Sequence, residues 1–217
     1  MSGAPETSEP VRHAYVVDDD EGFRGSMLML LESAGWNVQA FPSAAAFAER
    51  AGELEPGILL LDLHLDGSSG LDLLEGKAVA LERFAVVMVT GAGEIETAVR
   101  SIKAGAVDFI EKPFEAGELL DRLDGIAKDF AVALQAKAAT WDARRRVDAL
   151  SPRERDVLER LLSGASNKHI ARDLGLSPRT VEMHRARMLA KLGAATTVEA
   201  IEIGRRAGVR AETRSPQ

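Results

Sequence analysis

Five short apolar runs, each followed by a helical pattern, constrain this chain more than any other feature. "HAYVVD" precedes "EGFRGSMLMLLESAG", "WNVQAF" precedes "SAAAFAERAG", and "GILLLD" precedes "GLDLLEGKAVAL". "FAVVMVTG" then precedes "EIETAVRSIKAG", and "VDFIEK" precedes "EAGELLDRL". The runs are rich in Val, Ile and Leu and lack the polar alternation of a strand with one wet face. Their strands therefore belong in a parallel sheet covered by helices on both sides. The expected fold class is α/β, a doubly wound five-stranded parallel sheet over residues 13–125.

Ligands of such sheets gather outside the carboxyl ends of the strands, where loops and helix N-termini converge. Asp18 and Asp19 follow the first run, Asp62 closes the third, Thr90 closes the fourth and Lys112 follows the fifth. Crowded carboxylates repel one another, and a divalent cation relieves the repulsion. Magnesium fits best, because it prefers oxygen ligands and takes one or two protein carboxylates plus phosphate oxygens. Such a site neutralises an incoming phosphoryl group and leaves one carboxylate free to attack it. Asp62, alone on the central strand, is the natural nucleophile, with Thr90 and Lys112 as donors to the phosphoryl oxygens. Taken singly, each residue has a plainer reading: acidic runs after strands are most often turns and caps, a Thr before Gly a turn residue, a Lys before Pro a solvated charge. Four different strand ends offering complementary groups are harder to explain that way. Asp20 and Glu21 are expected to start the first helix rather than enter the pocket.

The chain has no cysteine, which removes disulfides, thiolate zinc sites and cysteine nucleophiles. No apolar run approaches the roughly 18 to 20 residues of a membrane span, and the opening residues lack a signal core, so a cytoplasmic protein without membrane contact is expected. The net charge of -7 hides an asymmetry: residues 1–147 are strongly acidic, whereas 148–217 carry more Lys and Arg than Asp and Glu. A basic tail on an acidic body suggests two jobs, one of them nucleic-acid binding. Residues 126–149, rich in Ala and charge without Gly or Pro, read as a helical linker. The polar ends, 1–12 and 208–217, are expected to be disordered.

Residues 150–207 read as a small all-α domain. "SPRE" at 151–154 is a capping box with Ser151 at the N-cap, and "LSPRTV" is a second start signal, with Ser177 at the N-cap and Leu176 and Val181 as a hydrophobic staple. Gly164 and Gly175 end the two preceding helices, which is helix-turn-helix spacing. In the last of these helices, Val181, Met188 and Leu192 fall within about 40° of one another and face the core, with Leu189 beside them. Arg179, Thr180, Glu182, Met183, Ala186 and Arg187 are left as candidates for base contacts in a major groove, where Arg reads guanine and Glu accepts from cytosine. Arg185, Lys191 and Lys168 are candidates for phosphate contacts. On charge alone, a solvated amphipathic helix is the better account of this face. His184 lies at the edge of the core and is read as structural or phosphate-contacting. A fourth helix, "TVEAIEIG", presents Val198, Ile201 and Ile203 for packing or dimerisation.

The order "VVDDDE", "LLLDLHL", "VMVTG", "DFIEKPF" resembles the receiver domain of two-component response regulators, and "TGAGEIETAVRSIKAGAVDFIEKPF" resembles their FixJ-type subgroup. "SPRERDVL" and "SNKHIARDLGLSPRTVEMHRARMLAKL" resemble the LuxR-type DNA-binding domain. The resemblance implies a flavodoxin-like receiver with Asp18 and Asp19 as the acidic pair and Asp62 as phosphoacceptor. It also implies Thr90 as switch hydroxyl, Lys112 as phosphate-sensing lysine and Phe109 as the aromatic that turns inward on activation. A metal-bound backbone carbonyl would come from His64, and the Lys112–Pro113 bond would be cis. Receivers usually carry Met-Pro where this chain has Leu65 and Asp66. The implied partners are a sensor histidine kinase, double-stranded promoter DNA, RNA polymerase and, on phosphorylation, a second copy of the chain. Ile95, Val99 and Ile102 are candidates for the dimer face.

Two rival functions are open to the same residues. An aspartyl phosphatase of the haloacid-dehalogenase type needs a second Asp where this chain has His64, so a non-enzymatic reading is preferred. A phosphate relay or protein-binding module whose tail never touches DNA would fail to select any duplex from a random pool.

Overall fold

The computed structural model describes residues 12–66, 68–76, 81–91 and 95–211. Strands β1 (His13–Val17), β2 (Asn37–Phe41), β3 (Gly57–Asp62), β6 (Phe84–Thr90) and β7 (Asp108–Glu111) form one sheet in the order β2-β1-β3-β6-β7. All four pairings are parallel. A two-residue hairpin, β4 (His64–Leu65) with β5 (Ser68–Ser69), follows β3. Helices α1 (Glu21–Ser33), α2 (Ala44–Arg50), α3 (Gly70–Glu75), α4 (Ile95–Ala104) and α5 (Ala116–Asp148) make the crossovers and the final return.

The missing polar alternation now has its physical reason. Successive side chains of a strand point to opposite faces, and here both faces are cores. Tyr15, Val17, Leu59, Leu61, Val86 and Met88 pack on one side with Phe41, Phe47 and Phe84. Ala14, Val16, Ile58, Leu60, Val87 and Val89 pack on the other with Met27 and Leu31 of α1 and Leu119, Leu123 and Ala127 of α5. Strand β1 has β2 on one side and β3 on the other, so the chain reverses its direction of winding there. That switch point is where the ends of β1 and β3 can share a ligand.

The structure refines sequence expectation at four segments. The third helix is short, ending at Glu75, and Leu81–Arg83 form a single 3-10 turn. Residues 126–149, expected as a helical linker, are helical through Asp148, in one helix that starts already at Ala116. The chain divides into two compact units after Leu134, inside that helix. Arg12, placed by sequence in a disordered end, donates from Nη1 to Asp124 Oδ1 at 2.9 Å and lies over the Trp36 ring. At the other end Gly208 takes a φ of 83°, and the Val209 amide donates to Gly204 O, closing the last helix. Residues 1–11 and 212–217 lie outside the described residues.

The second unit contains α6 (Pro152–Leu162), α7 (Asn167–Leu174), α8 (Pro178–Leu192) and α9 (Thr197–Arg206). Their N-caps are Ser151, Ser166, Ser177 and Thr196, each accepting from the amide three residues on. The capping box at Ser151 and Glu154 forms with both arms present. Gly175 ends α7 in the left-handed region at φ 65°, a conformation that favours glycine because it has no Cβ. Val157, Leu158, Ile170, Val181, Met188 and Leu192 make the core, joined by Val147 from the end of α5.

Candidate functional site

Strand β1 delivers Asp18 and Asp19 to its carboxyl end, and its neighbour β3 delivers Asp62. Oxygen atoms of these three carboxylates lie within 4.8 Å of one another. Asp18 and Asp62 are buried, whereas Asp19 is exposed. Lys112 Nζ donates to Asp18 Oδ2 at 2.7 Å and to Asp62 Oδ2 at 2.8 Å. Asp18 Oδ1 accepts from the Asp20 amide at 2.8 Å, and Asp62 Oδ1 accepts from the His64 amide at 3.2 Å. Asp20 turns away from the pocket and caps α1, accepting from the Phe23 amide at 3.0 Å. The four consecutive acids thus separate into pocket and helix start.

The electrostatics follow from burial and partners. Burial pushes the Asp18 carboxyl above its usual range, against the opposing hydrogen bonds from Lys112 and the Asp20 amide. Burial also works against the Lys112 ammonium, but its bonds to Asp18 and Asp62 outweigh this and hold its pKa above the usual lysine value. The exposed Asp20 carboxyl is held below its usual value by the Phe23 and Gly22 amides. One ammonium balances only part of the charge of three carboxylates. An oxygen-only donor set with surplus negative charge, open on the Asp19 side, fits a hard divalent cation such as magnesium.

Thr90 is fully buried at the end of β6, one residue beyond Val89, the register partner of Asp62. Its carbonyl accepts the Lys112 amide at 2.7 Å, so strand pairing itself sets the start of the lysine side chain beside the pocket. The Lys112–Pro113 bond is cis. Phe109 is half-buried against the core shared with Met88, its register partner. On α4, Val99 and Ile102 are about half exposed, at 49% and 48%; the Ile95 side chain lies outside the described residues.

The loop after Asp62 contains site features that sequence reasoning missed. Leu65 is buried, and its strand pairing with Ser68 folds the loop back without a proline at residue 66. Ser69 Oγ donates to Leu63 O at 3.2 Å, and the Gly70 amide donates to the same carbonyl at 3.0 Å. A Cβ built on Gly70 would stand 2.1 Å from the Asp62 carbonyl oxygen, so only glycine permits this approach. Arg24 was also missed: its Nη1 donates to Asp18 O at 2.8 Å. A Gly shortly after the acceptor loop was the one signal available for the former; nothing local marks the latter.

In the second unit, Arg179, Glu182, Met183, Ala186 and Arg187 are exposed together on α8, and Lys168 is exposed on α7. Thr180 is half-buried, its hydroxyl 2.8 Å from Ser177 Oγ. The other two phosphate-contact candidates, half-buried Arg185 and exposed Lys191, also bond to groups of their own domain. Arg185 donates to Asn167 Oδ1 at 3.2 Å and to Thr197 Oγ1, joining α8 to α7 and α9. Lys191 Nζ pairs with Glu154 Oε2 at 2.7 Å, joining α8 to the α6 capping box. Both lie near the edge of the helix, where a long cationic side chain meets polar groups of its own domain. His184 is half-buried, and its Nδ1 has no hydrogen-bond partner among the described residues. Ile201 and Ile203 pack on the core, whereas Val198 is exposed.

Comparison with known proteins agrees with both halves. Residues 14–124 match the response regulator receiver domain family, and residues 148–203 match the luxR family of bacterial regulatory proteins. The chain is 39% identical to the transcriptional regulatory protein FixJ of Bradyrhizobium diazoefficiens, over 91% of this chain and 96% of that one. It is 33% identical to the response regulator protein TmoT of Ectopseudomonas mendocina, over 88% and 87% of the two chains. Among solved structures, it is similar to the response regulator StyR, with a TM-score of 0.78, 33% identity and coverage of 89% and 98%. It is also similar to full-length FixJ from B. japonicum, with a TM-score of 0.57, 39% identity and coverage of 92% and 98%. The chain therefore belongs to the FixJ-type response regulators, with a receiver domain followed by a LuxR-type DNA-binding domain.

Proposed function

We propose that Asp62 accepts a phosphoryl group from the phosphohistidine of a sensor kinase and that the modified chain regulates transcription as a DNA-bound dimer in the cytoplasm. The observation that carries this is the Lys112 ammonium bridging Asp18 and Asp62 beside three converging carboxylates. Mg2+, held by Asp18, Asp19, Asp62 and the His64 carbonyl, supplies charge neutralisation for the incoming phosphoryl oxygens when bound. An oxygen of Asp62 attacks phosphorus, the P–N bond breaks, and the imidazole leaves with the electron pair. Asp18 and Asp62 hold Lys112 beforehand; as the Asp62 charge moves onto the phosphoryl group, Lys112 follows it. Thr90 donates its hydroxyl to another phosphoryl oxygen. Phe109 then repacks, and the α4–β7 face with Ile95, Val99 and Ile102 pairs with a second copy.

Dimerisation brings two α8 helices to paired half-sites, where Arg179, Thr180, Glu182, Met183, Ala186 and Arg187 face base edges and Lys168 faces phosphate. RNA polymerase is the downstream partner. The test is incubation of wild type and Asp62→Asn with acetyl phosphate and Mg2+, followed by intact mass and binding to a selected duplex. The wild type gains one phosphoryl group and DNA affinity, and the variant gains neither. A wild type that stays unmodified, or a variant with the same gain in affinity, removes the reading.

A further inference from the structure

The motif "DDDEGFR" contains an aromatic residue that the pocket chemistry has not used. Phe23 stands in the first turn of α1, its amide fixed by the Asp20 cap at 3.0 Å. Its ring faces Lys112: the ammonium nitrogen lies 3.8 Å from the ring centroid. The ring is braced in turn by Phe114, two residues beyond Lys112, with centroids 6.1 Å apart and planes at 81°. Both aromatics pack on the α1–α5 side of the sheet.

We propose that Phe23 is a positioning residue for phosphoryl transfer, its ring face holding the Lys112 ammonium beside Asp62. This rests on the proposed role of Asp62 as acceptor. An ammonium has three N–H donors. Two of those of Lys112 go to Asp18 and Asp62, and the π face of Phe23 offers the charge a third, non-competing partner. The difference between the partners matters during transfer. The Asp62 carboxylate loses its charge to the new P–O bond, so its hold on Lys112 weakens at the moment the lysine must meet the phosphoryl oxygens. The attraction of the ring is the same before and after that step. It keeps the cation at the strand ends and covers one side of it from water, so less reorganisation is needed. The aromatic pair forms because a helix cap places Phe23 on α1 and the β7–α5 turn places Phe114 opposite; neither position is set by the acidic residues.

The experiment compares full-length wild type with Phe23→Leu, Phe23→Tyr and Phe23→Trp. Leu keeps apolar volume without the π face, whereas Tyr and Trp keep the face. The first readout is the NMR shift of the Lys112 Cε protons in unmodified protein, assigned with Lys112→Arg. Ring current moves these protons upfield in wild type, Tyr and Trp variants, and the shift disappears in Phe23→Leu. The second is the rate of aspartyl phosphate formation from acetyl phosphate with Mg2+, in which the Asp62 oxygen bonds to phosphorus and acetate leaves with the P–O electron pair. Phe23→Leu slows this about three- to tenfold, and Tyr and Trp stay within about twofold of wild type. Equal rates for Leu and wild type, or a Trp variant as slow as Leu at equal thermal stability, overturn the proposal. If wild type takes up no phosphoryl group, the proposed function fails instead, and the NMR shift then identifies a contact that is only structural.

Discussion

Lys112 Nζ stands 2.8 Å from Asp62 Oδ2, across 50 residues of chain, with β6 lying between β3, which Asp62 ends, and β7, which Lys112 follows. The pair places a side chain that is 25% exposed against one that is 11% exposed, so the ammonium is part of how the carboxylate tolerates burial.

Lys112→Ala should therefore destabilise the receiver before any phosphoryl chemistry. Leaving Asp18 and Asp62 without their cation costs about 3 kcal/mol. Amide exchange of β1 and β3 in the presence of a chelator measures the loss. Added Mg2+ should recover more stability in the variant than in wild type, because it no longer shares the carboxylates with an ammonium.

Gly70→Ala tests the loop that follows the acceptor. With a Cβ directed at the Asp62 carbonyl oxygen, either the strand end or α3 must move. Overpacking of this kind costs about 1–3 kcal/mol, and the displaced Asp62 should accept phosphate more slowly. Urea unfolding and the acetyl phosphate reaction read the two effects.

The helix-turn-helix cations divide into two classes. Lys168→Ala should lower the salt dependence of DNA binding by about one unit of slope, as loss of a phosphate contact does. Arg185→Ala and Lys191→Ala should leave the slope unchanged and lower the melting temperature of the second unit, because their side chains bind Asn167, Thr197 and Glu154. Titrations at several salt concentrations separate them.

Glu154 gives that unit an acid-sensitive tie. Burial opposes its charge, but Lys191 and the Ser151 amide and hydroxyl win and hold its pKa below the usual glutamate value. A depressed folded-state pKa means that its stabilisation is complete above the ordinary glutamate range and is lost as pH falls through the depressed value. Glu154→Ala should cost about 1–3 kcal/mol at neutral pH and flatten this acidic limb. Thermal melts from neutral to acidic pH check both.

The sheet, its winding and the helix starts were legible in the sequence because their causes are local. Strand runs declare two-sided burial residue by residue. Asp20, Ser151 and Ser177 cap the amide three positions on, within reach of the same short segment. The convergence of Asp18, Asp62 and Lys112, and the place of Thr90 at the end of the neighbouring strand, were legible because a parallel sheet brings strand ends together whatever the loops contain.

Partners between elements were not legible in this way. Lys191 meets Glu154 across 37 residues, and Arg185 reaches Asn167 across 18. A helical wheel shows that a cation is near the edge of a face, but not which acceptor a neighbouring helix will bring to it. The approach of Gly70 to Asp62 and the Phe23 ring over Lys112 belong to the same class. By itself, the sequence determined which segments become strands and helices and which charges the strand ends hold, because propensity, capping and alternation act within a few residues. Tertiary packing alone decided which cations find side-chain partners on other helices, because that depends on distances set by elements far apart in the chain.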